Sequence, residues 1–131
     1  AARRQALTKM AAVTAQGGRL VITSRNWERV RSVGSGIEVA GSVLERRGRR
    51  GIVIHNWIVA ESWDHEHDLH VAVALLDAAD DTVSTVSEHL TVWPFRHERL
   101  LSDIEDAGYT IDDTTYAPDV DRYLVTAKRA E

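Results

Sequence analysis

The stretch that most constrains this chain is Gly17-Gly18-Arg19-Leu20-Val21-Ile22-Thr23-Ser24-Arg25-Asn26-Trp27. A glycine pair there ends a helical pattern, because glycine accepts the left-handed conformation in which helices finish. Leu20 to Ile22 are apolar on consecutive residues, which predicts a strand buried on both faces. Thr23 to Trp27 carry hydrogen-bonding groups past the carboxyl end of that strand. In an α/β sheet that end is where ligands bind.

Upstream, Ala6, Leu7, Met10, Ala11 and Val13 fall near one stripe at helical spacing, with Arg3, Arg4, Lys9 and Gln16 off it. This predicts an amphipathic helix over residues 3–15. No Ser, Thr, Asp or Asn precedes it at Ala1-Ala2 to cap its first turn, an arrangement expected of a chain that begins inside a longer protein. Downstream, Val30 and Val33 fit a short helical turn, and Gly34-Ser35-Gly36 marks a loop. No strand leads directly into this G-x-G and no helix follows it, so it lacks the context of a phosphate cradle.

From there the pattern is β-like. Strands are predicted over Ile37 to Leu44, Gly51 to Ala60, His67 to Leu76 and Val83 to Trp93, with turns at Arg47-Gly48 and Asp77-Ala78-Ala79-Asp80-Asp81. Leu69, Val71, Val73 and Leu75 face one way in the third, and Val86, Glu88, Leu90 and Val92 oppose Ser87, His89, Thr91 and Trp93 in the fourth. Such alternation predicts antiparallel strands with one face on a core and the other toward solvent or a cavity. Pro94 closes this meander. Phe95 to Ala107 then places Leu100, Leu101 and Ile104 on one side of a helix capped by Gly108. Two last strands, Tyr109 to Thr115 and Arg122 to Ala127, flank the loop from Tyr116 to Asp121. The order of helix, strand, meander, helix, strand, strand makes a mixed α/β sheet short of most of its parallel strands. Its divisions are 1–36, the meander 37–93, and 94–131.

Composition sets bounds on function. With 131 residues one domain is expected, and 44% hydrophobic with 27% charged residues is ordinary for a globular chain. No apolar stretch approaches the roughly 20 residues of a membrane span, and residues 1–16 lack the apolar block of a signal peptide. Zero cysteines exclude disulfides and thiolate chemistry and suit a reducing cytoplasm, the location expected here. The net charge of -4 hides an asymmetry, since residues 1–50 hold 11 of the 16 Lys and Arg but only three acids, Glu28, Glu38 and Glu45. Two halves that pack together and neutralise each other explain it. A nucleic-acid surface would rest on Arg46-Arg47-Gly48-Arg49-Arg50, but that run reads as a turn and no aromatics interleave it. Neither nucleic acid nor membrane is an expected partner.

His65, His67 and His70 raise a metal reading, and their spacing opposes it, because on one strand His70 faces away from the other two. A solvated strand entry fits them better. No nucleophile elbow and no paired carboxylates occur. Trp27, Trp57, Trp63 and Trp93 fit either core positions or the wall of a pocket supplied with polar groups by Asn26, Asn56 and His89.

A helix of the form Ala-Leu-x-x-Met followed by Gly-Gly-Arg-Leu-Val-Ile resembles the fourth helix and fifth strand of class I S-adenosylmethionine-dependent methyltransferases. Phe95 to Gly108 with the following strand, loop and strand resembles the last helix and closing antiparallel pair of that fold. Arg25-Asn26-Trp27 after the strand, an antiparallel insertion, and Trp93-Pro94 at its end are similar to the glycine and sarcosine N-methyltransferase branch. The resemblance implies a Rossmann-like α/β fold, of which this chain is the C-terminal part with an antiparallel β-meander insertion. It implies that Asn26 contacts a small amino-acid substrate and that Tyr123 matches a tyrosine at the methyl-transfer site. His89 stands where that branch has an arginine for the substrate carboxylate, and a neutral imidazole does not replace a bidentate guanidinium.

The branch binds its cofactor at a glycine-rich turn after a first strand and an acidic residue after a second, and neither segment lies in these 131 residues. The expectation is therefore the substrate-side half of a methyltransferase that uses S-adenosylmethionine, with the cofactor bound mainly by an N-terminal half and this half inactive alone. The acceptor is a small amine or amino-acid-like molecule. Arg25 and Asn26 make polar contacts to it, His89 meets its anionic or polar group, and Tyr123 and Trp93 form the pocket wall. The rival is a non-enzymatic α+β ligand-binding or dimerisation module. In either case an exposed sheet edge predicts pairing with another copy, a homo-oligomer.

Overall fold

A computed structural model of the chain describes residues 2–40, 43–77, 79 and 81–130, with the backbone alone at Arg46. In chain order the elements are α1 (Ala2–Val13), β1 (Arg19–Arg25), α2 (Trp27–Val33), β2 (Gly36–Val39), β3 (Leu44–Arg46), β4 (Arg49–Ile58), β5 (His67–Asp77), β6 (Thr82–Val92), α3 (His97–Asp106), β7 (Tyr109–Thr114) and β8 (Arg122–Arg129). They form two compact units, residues 1–32 with 95–131 and residues 33–94. Ala1, which bears on the cap of α1, lies outside the described residues, as do Ala78 and Asp80 of the β5–β6 turn and residues 41–42 between β2 and β3.

In the first unit an antiparallel sheet runs β1-β8-β7, with Ile22 opposite Val125 and Ser24 opposite Tyr123. One face carries the core. Leu7 and Ala11 of α1 and Leu100 and Ile104 of α3 pack with Tyr109, Tyr123, Val125 and Ala127, and Leu20 and Ile22 join them. The other face of β1 is open, Val21 being 59% exposed. The apolar run Leu20 to Ile22 is thus not buried on both faces as its sequence predicts, because both helices of this cluster pack on the same side of a strand that has a neighbour along only one edge. The stripe of α1 is also narrower than its sequence suggests. Leu7 and Ala11, one turn apart, face the sheet, while Val13 lies on the far side and is 87% exposed.

Glycine has a physical reason at the α1–β1 junction. Gly17 adopts a φ of +71°, and a Cβ on Gly18 would sit 2.8 Å from the Ala15 carbonyl oxygen and from a Thr14 methyl. The pair lets the chain reverse and pair with β8, the Gly18 carbonyl accepting from the Arg129 N–H at 2.8 Å. Across the α1–α3 contact, the buried carboxylate of Asp103 takes Arg3 at 2.8 Å, Arg4 at 3.0 Å and Arg99 at 3.2 Å.

In the second unit an antiparallel sheet runs β2-β4-β5-β6, with β3 also paired to β4. The basic run forms the β3–β4 hairpin turn, Arg47 at φ 55° and Gly48 at φ 75°, the paired positive values of a two-residue type I′ turn. Arg49 reaches Asp77 across the β4–β5 pair at 3.2 Å. Trp57 and Leu69, opposite one another, are buried. The alternation in β6 does not produce a buried face: every residue from Thr82 to Thr91 is exposed. β6 is an edge strand, and among the described residues of its unit none buries either of its faces.

Candidate functional site

The site grows from the residues that follow β1. Asn26 is completely buried, and its side-chain amide holds the loop between β7 and β8. Nδ2 donates to the carbonyls of Ala117 and Val120, each at 3.0 Å, with the Pro118 carbonyl at 3.5 Å. Oδ1 accepts the Arg29 N–H at 3.1 Å, which makes Asn26 the N-cap of α2. The Asn26 N–H in turn donates to the Asp121 carbonyl at 2.9 Å, and Arg29 pairs with the Asp121 carboxylate. The amide is therefore engaged by the chain itself, and Asn26 acts on its surroundings by fixing residues 117–121.

Glu28 extends this latch. Arg96, the residue before α3, makes no side-chain cap, and the Glu28 carboxylate accepts the His97 N–H at 3.2 Å instead. A carboxylate there satisfies an open N–H at the positive end of the helix. Glu28 also accepts a hydrogen bond from the Tyr116 hydroxyl.

Three rings meet above these contacts. His97 stacks on Tyr116 with centroids 4.2 Å apart and planes 6° from parallel, and both rings stand edge-on to Tyr123, at 5.1 and 5.4 Å. His97 Nε2 lies 3.0 Å from Thr114 Oγ1, and the Tyr123 hydroxyl bonds to Ser24 on the neighbouring strand. Burial lowers the pKa of His97 against the opposing pull of Glu28 and Glu98. Burial likewise raises both tyrosines, Tyr116 further because it donates to Glu28. At neutral pH the cluster thus presents a neutral imidazole and two protonated phenols beside one carboxylate. Such a set can orient a polar small molecule and hold a proton without fixing a cation in the site.

The depressed His97 pKa carries a stability consequence. The folded state disfavours the imidazolium, so acidification below the ordinary value of about 6.5 favours unfolding, and stability falls with pH until the folded-state pKa is passed. We expect His97 to titrate below 6.5 by NMR and His97→Gln to flatten this part of the stability profile.

The second unit holds the other two candidates from the sequence. His89 Nε2 lies 2.8 Å from Asp68 Oδ1, which Thr91 Oγ1 also approaches at 3.2 Å, and the His89 ring stacks on His70 with centroids 4.5 Å apart. The hydrogen bond from His89 holds the Asp68 carboxyl below its ordinary range despite some desolvation. His89→Ala should move the Asp68 titration back up toward about 3.9, which a carboxyl-detected NMR titration reads directly. Trp93 follows β6 and is 61% exposed. The structure thus brings Arg25, Asn26 and Tyr123 together in one unit and places His89 and Trp93 in the other.

Glu28, His97 and Tyr116 escape the sequence reading. Available signals were an acid in the first turn after a capping Asn, a histidine directly after Pro94-Phe95-Arg96, and a tyrosine opening a Pro-containing loop. As for the histidine run, His67 is buried and its Nδ1 accepts the Ala60 N–H at 3.2 Å, while His70 is exposed on the opposite face. Among the described residues no three His, Asp or Glu stand close enough to hold a metal ion, and no helix is long and apolar enough to cross a membrane. The residues present do not fit S-adenosylmethionine on their own. A Cβ on Gly34 or Gly36 would meet nothing within 4 Å, so that G-x-G forms no tight cradle.

No protein-family model and no curated protein matches the sequence. Solved structures do match the fold. A S-adenosylmethionine-dependent methyltransferase from Clostridium acetobutylicum aligns over 98% of this chain and 51% of its own length, with a TM-score of 0.72 at 8% identity. The sugar N-methyltransferase KedS8 from Streptoalloteichus aligns over 98% and 49%, with a TM-score of 0.70 at 22% identity. CalS10, an amino pentose methyltransferase of calicheamicin biosynthesis from Micromonospora echinaspora with S-adenosylmethionine bound, aligns over 97% and 50%, with a TM-score of 0.70 at 18% identity. The chain has the mixed α/β fold of the C-terminal half of class I S-adenosylmethionine-dependent methyltransferases, and it spans about half the length of the structures it matches.

Proposed function

We propose that this chain is the acceptor-side half of a S-adenosylmethionine-dependent methyltransferase acting on a small amine. The observation that carries the reading is the His97–Tyr116–Tyr123 cluster, latched by Asn26 and Glu28 at the carboxyl end of β1, on a methyltransferase fold. The cofactor, held mainly by residues outside this chain, supplies the methyl group. An amine attacks only as its free base, so a neutral imidazole and protonated phenols are suitable neighbours: they accept or donate hydrogen bonds without imposing a positive charge. Arg25 and Tyr123 are assigned to acceptor contact, and Asn26 and Glu28 are positioning residues that hold loop 115–121 and the start of α3.

The acceptor class that fits best is an amine without a carboxylate, such as an amino sugar. KedS8 and CalS10, which share the fold, act on sugars. The test is to supply the full-length protein with S-adenosylmethionine and, separately, amino sugars, glycine and sarcosine, following S-adenosylhomocysteine and product mass. Turnover of an amino sugar above glycine and sarcosine is expected. Ligand binding without turnover of any amine would favour the non-enzymatic module.

A further inference from the structure

We propose that Arg3 of α1 is a positioning residue of the His97–Tyr116–Tyr123 cluster, fixing the start of α3 by clamping Phe95 and Asp103, which stand on either side of His97 along the chain. Arg3 lies in the first turn of its helix, where the positive end of the backbone dipole disfavours a cation, and α1 has no acid there to offset it. It is also more buried than an arginine ordinarily is, its side chain being 31% exposed. Both costs call for a compensating contact.

Neutralising Asp103 is not reason enough for it. One well-placed cation answers a buried carboxylate, and Arg4 at 3.0 Å and Arg99 at 3.2 Å already face Asp103 Oδ1. Arg3 takes the other oxygen, through Nε at 2.8 Å and through Nη2. Among the described residues, Arg3 alone of the three also lies over an aromatic ring, its Cζ 4.3 Å from the centroid of Phe95.

These two contacts bracket the segment that presents His97. Phe95 is two residues before His97 and packs against the core that contains Tyr123. Asp103 shares the buried face of α3 with His97, Leu100 and Ile104. A planar guanidinium held by two N–H groups on a buried carboxylate has a fixed plane, so the ring stacked on it is fixed too, and with it the chain entering α3. The Arg3 charge also reaches the Tyr123 phenol, where it opposes the upward push of burial and of Glu28.

Arg4 is the control, because it belongs to the same ion group and does not touch Phe95. In the full-length protein, ring NMR titrations of Arg3→Gln should show His97 titrating higher than in the unaltered protein, since water reaches an imidazole whose neighbour Phe95 is no longer held. Tyr123 should also titrate higher, since a nearby cation has gone. Arg4→Gln should leave both where they are. Asp103 keeps two cations in either variant, so both should fold. Arg3→Lys, which retains the charge without the flat two-pronged fork, should bring Tyr123 back and leave His97 displaced. An effect on turnover rests on the methyltransferase reading above, and there Arg3→Gln should lower kcat/KM about tenfold more than Arg4→Gln does. The titrations need no turnover, so a protein that methylates no amine would remove that reading and leave the role of Arg3 to be decided by His97 and Tyr123. Equal titrations in Arg3→Gln and Arg4→Gln, or a lower unfolding midpoint in Arg3→Gln with His97 and Tyr123 unmoved, would reduce Arg3 to one more partner of Asp103 and overturn the proposal.

Discussion

Asn26→Ala should cost about 3 kcal/mol of stability, because it leaves the carbonyls of Ala117 and Val120 and the N–H of Arg29 without their buried partner. Asn26→Asp separates the two halves of that role. A carboxylate of the same shape can still cap α2, but it cannot donate, and it would sit completely buried against two carbonyl oxygens. Near neutral pH the Asp variant should therefore be the less stable of the two. Its carboxyl would have a raised pKa in the folded state, so its deficit should shrink as pH falls through that value, opposite to the acid loss expected from His97. Denaturant melts of the three proteins across pH measure both effects. If the full-length protein is the methyltransferase proposed above, Asn26→Ala should also lower its kcat/KM, since residues 117–121 lose their anchor, and an unchanged kcat/KM would remove Asn26 from the site.

The second large effect is at Tyr123, which is 3% exposed and has both His97 and Tyr116 against its ring. Tyr123→Ala should cost about 4 kcal/mol, the lost transfer energy plus a cavity between two rings that are themselves fixed by Thr114 and Glu28. Tyr123→Phe keeps the edge contacts and removes only the hydroxyl and its bond to Ser24, so about 1 kcal/mol is expected. That variant is the informative one for chemistry. If the hydroxyl touches the acceptor, kcat/KM should fall at least tenfold while the denaturation midpoint barely moves. Equal activity of Tyr123→Phe would leave Tyr123 with packing alone.

Much of the fold is legible in the sequence where a local rule and the tertiary structure agree. Gly17-Gly18 marks the end of α1 because the chain must reverse there, Arg47-Gly48 marks a hairpin because both residues take positive φ, and Leu100 and Ile104 mark the buried side of α3. The pattern misleads where burial depends on what covers a strand. Leu20 to Ile22 read as doubly buried and β6 as half-buried, yet Val21 and all of Thr82 to Thr91 are exposed, because apolar spacing records which residues want cover and not where cover lies. The candidate site is legible only at its start. Asn26 and Tyr123 follow a strand and a proline loop, but the contacts that tie Asn26 to Ala117 and Glu28 to His97 span 91 and 69 residues of sequence, beyond the reach of any periodicity.

The central claim is methyl transfer to an amine, and the most direct measurement is single-turnover mass spectrometry of the full-length protein with methyl-labelled S-adenosylmethionine and an amino sugar. A mass gain of one labelled methyl on the acceptor nitrogen, stoichiometric with S-adenosylhomocysteine, is the expected result. Binding of the acceptor with no label transferred to it or to any other amine supplied would contradict the account.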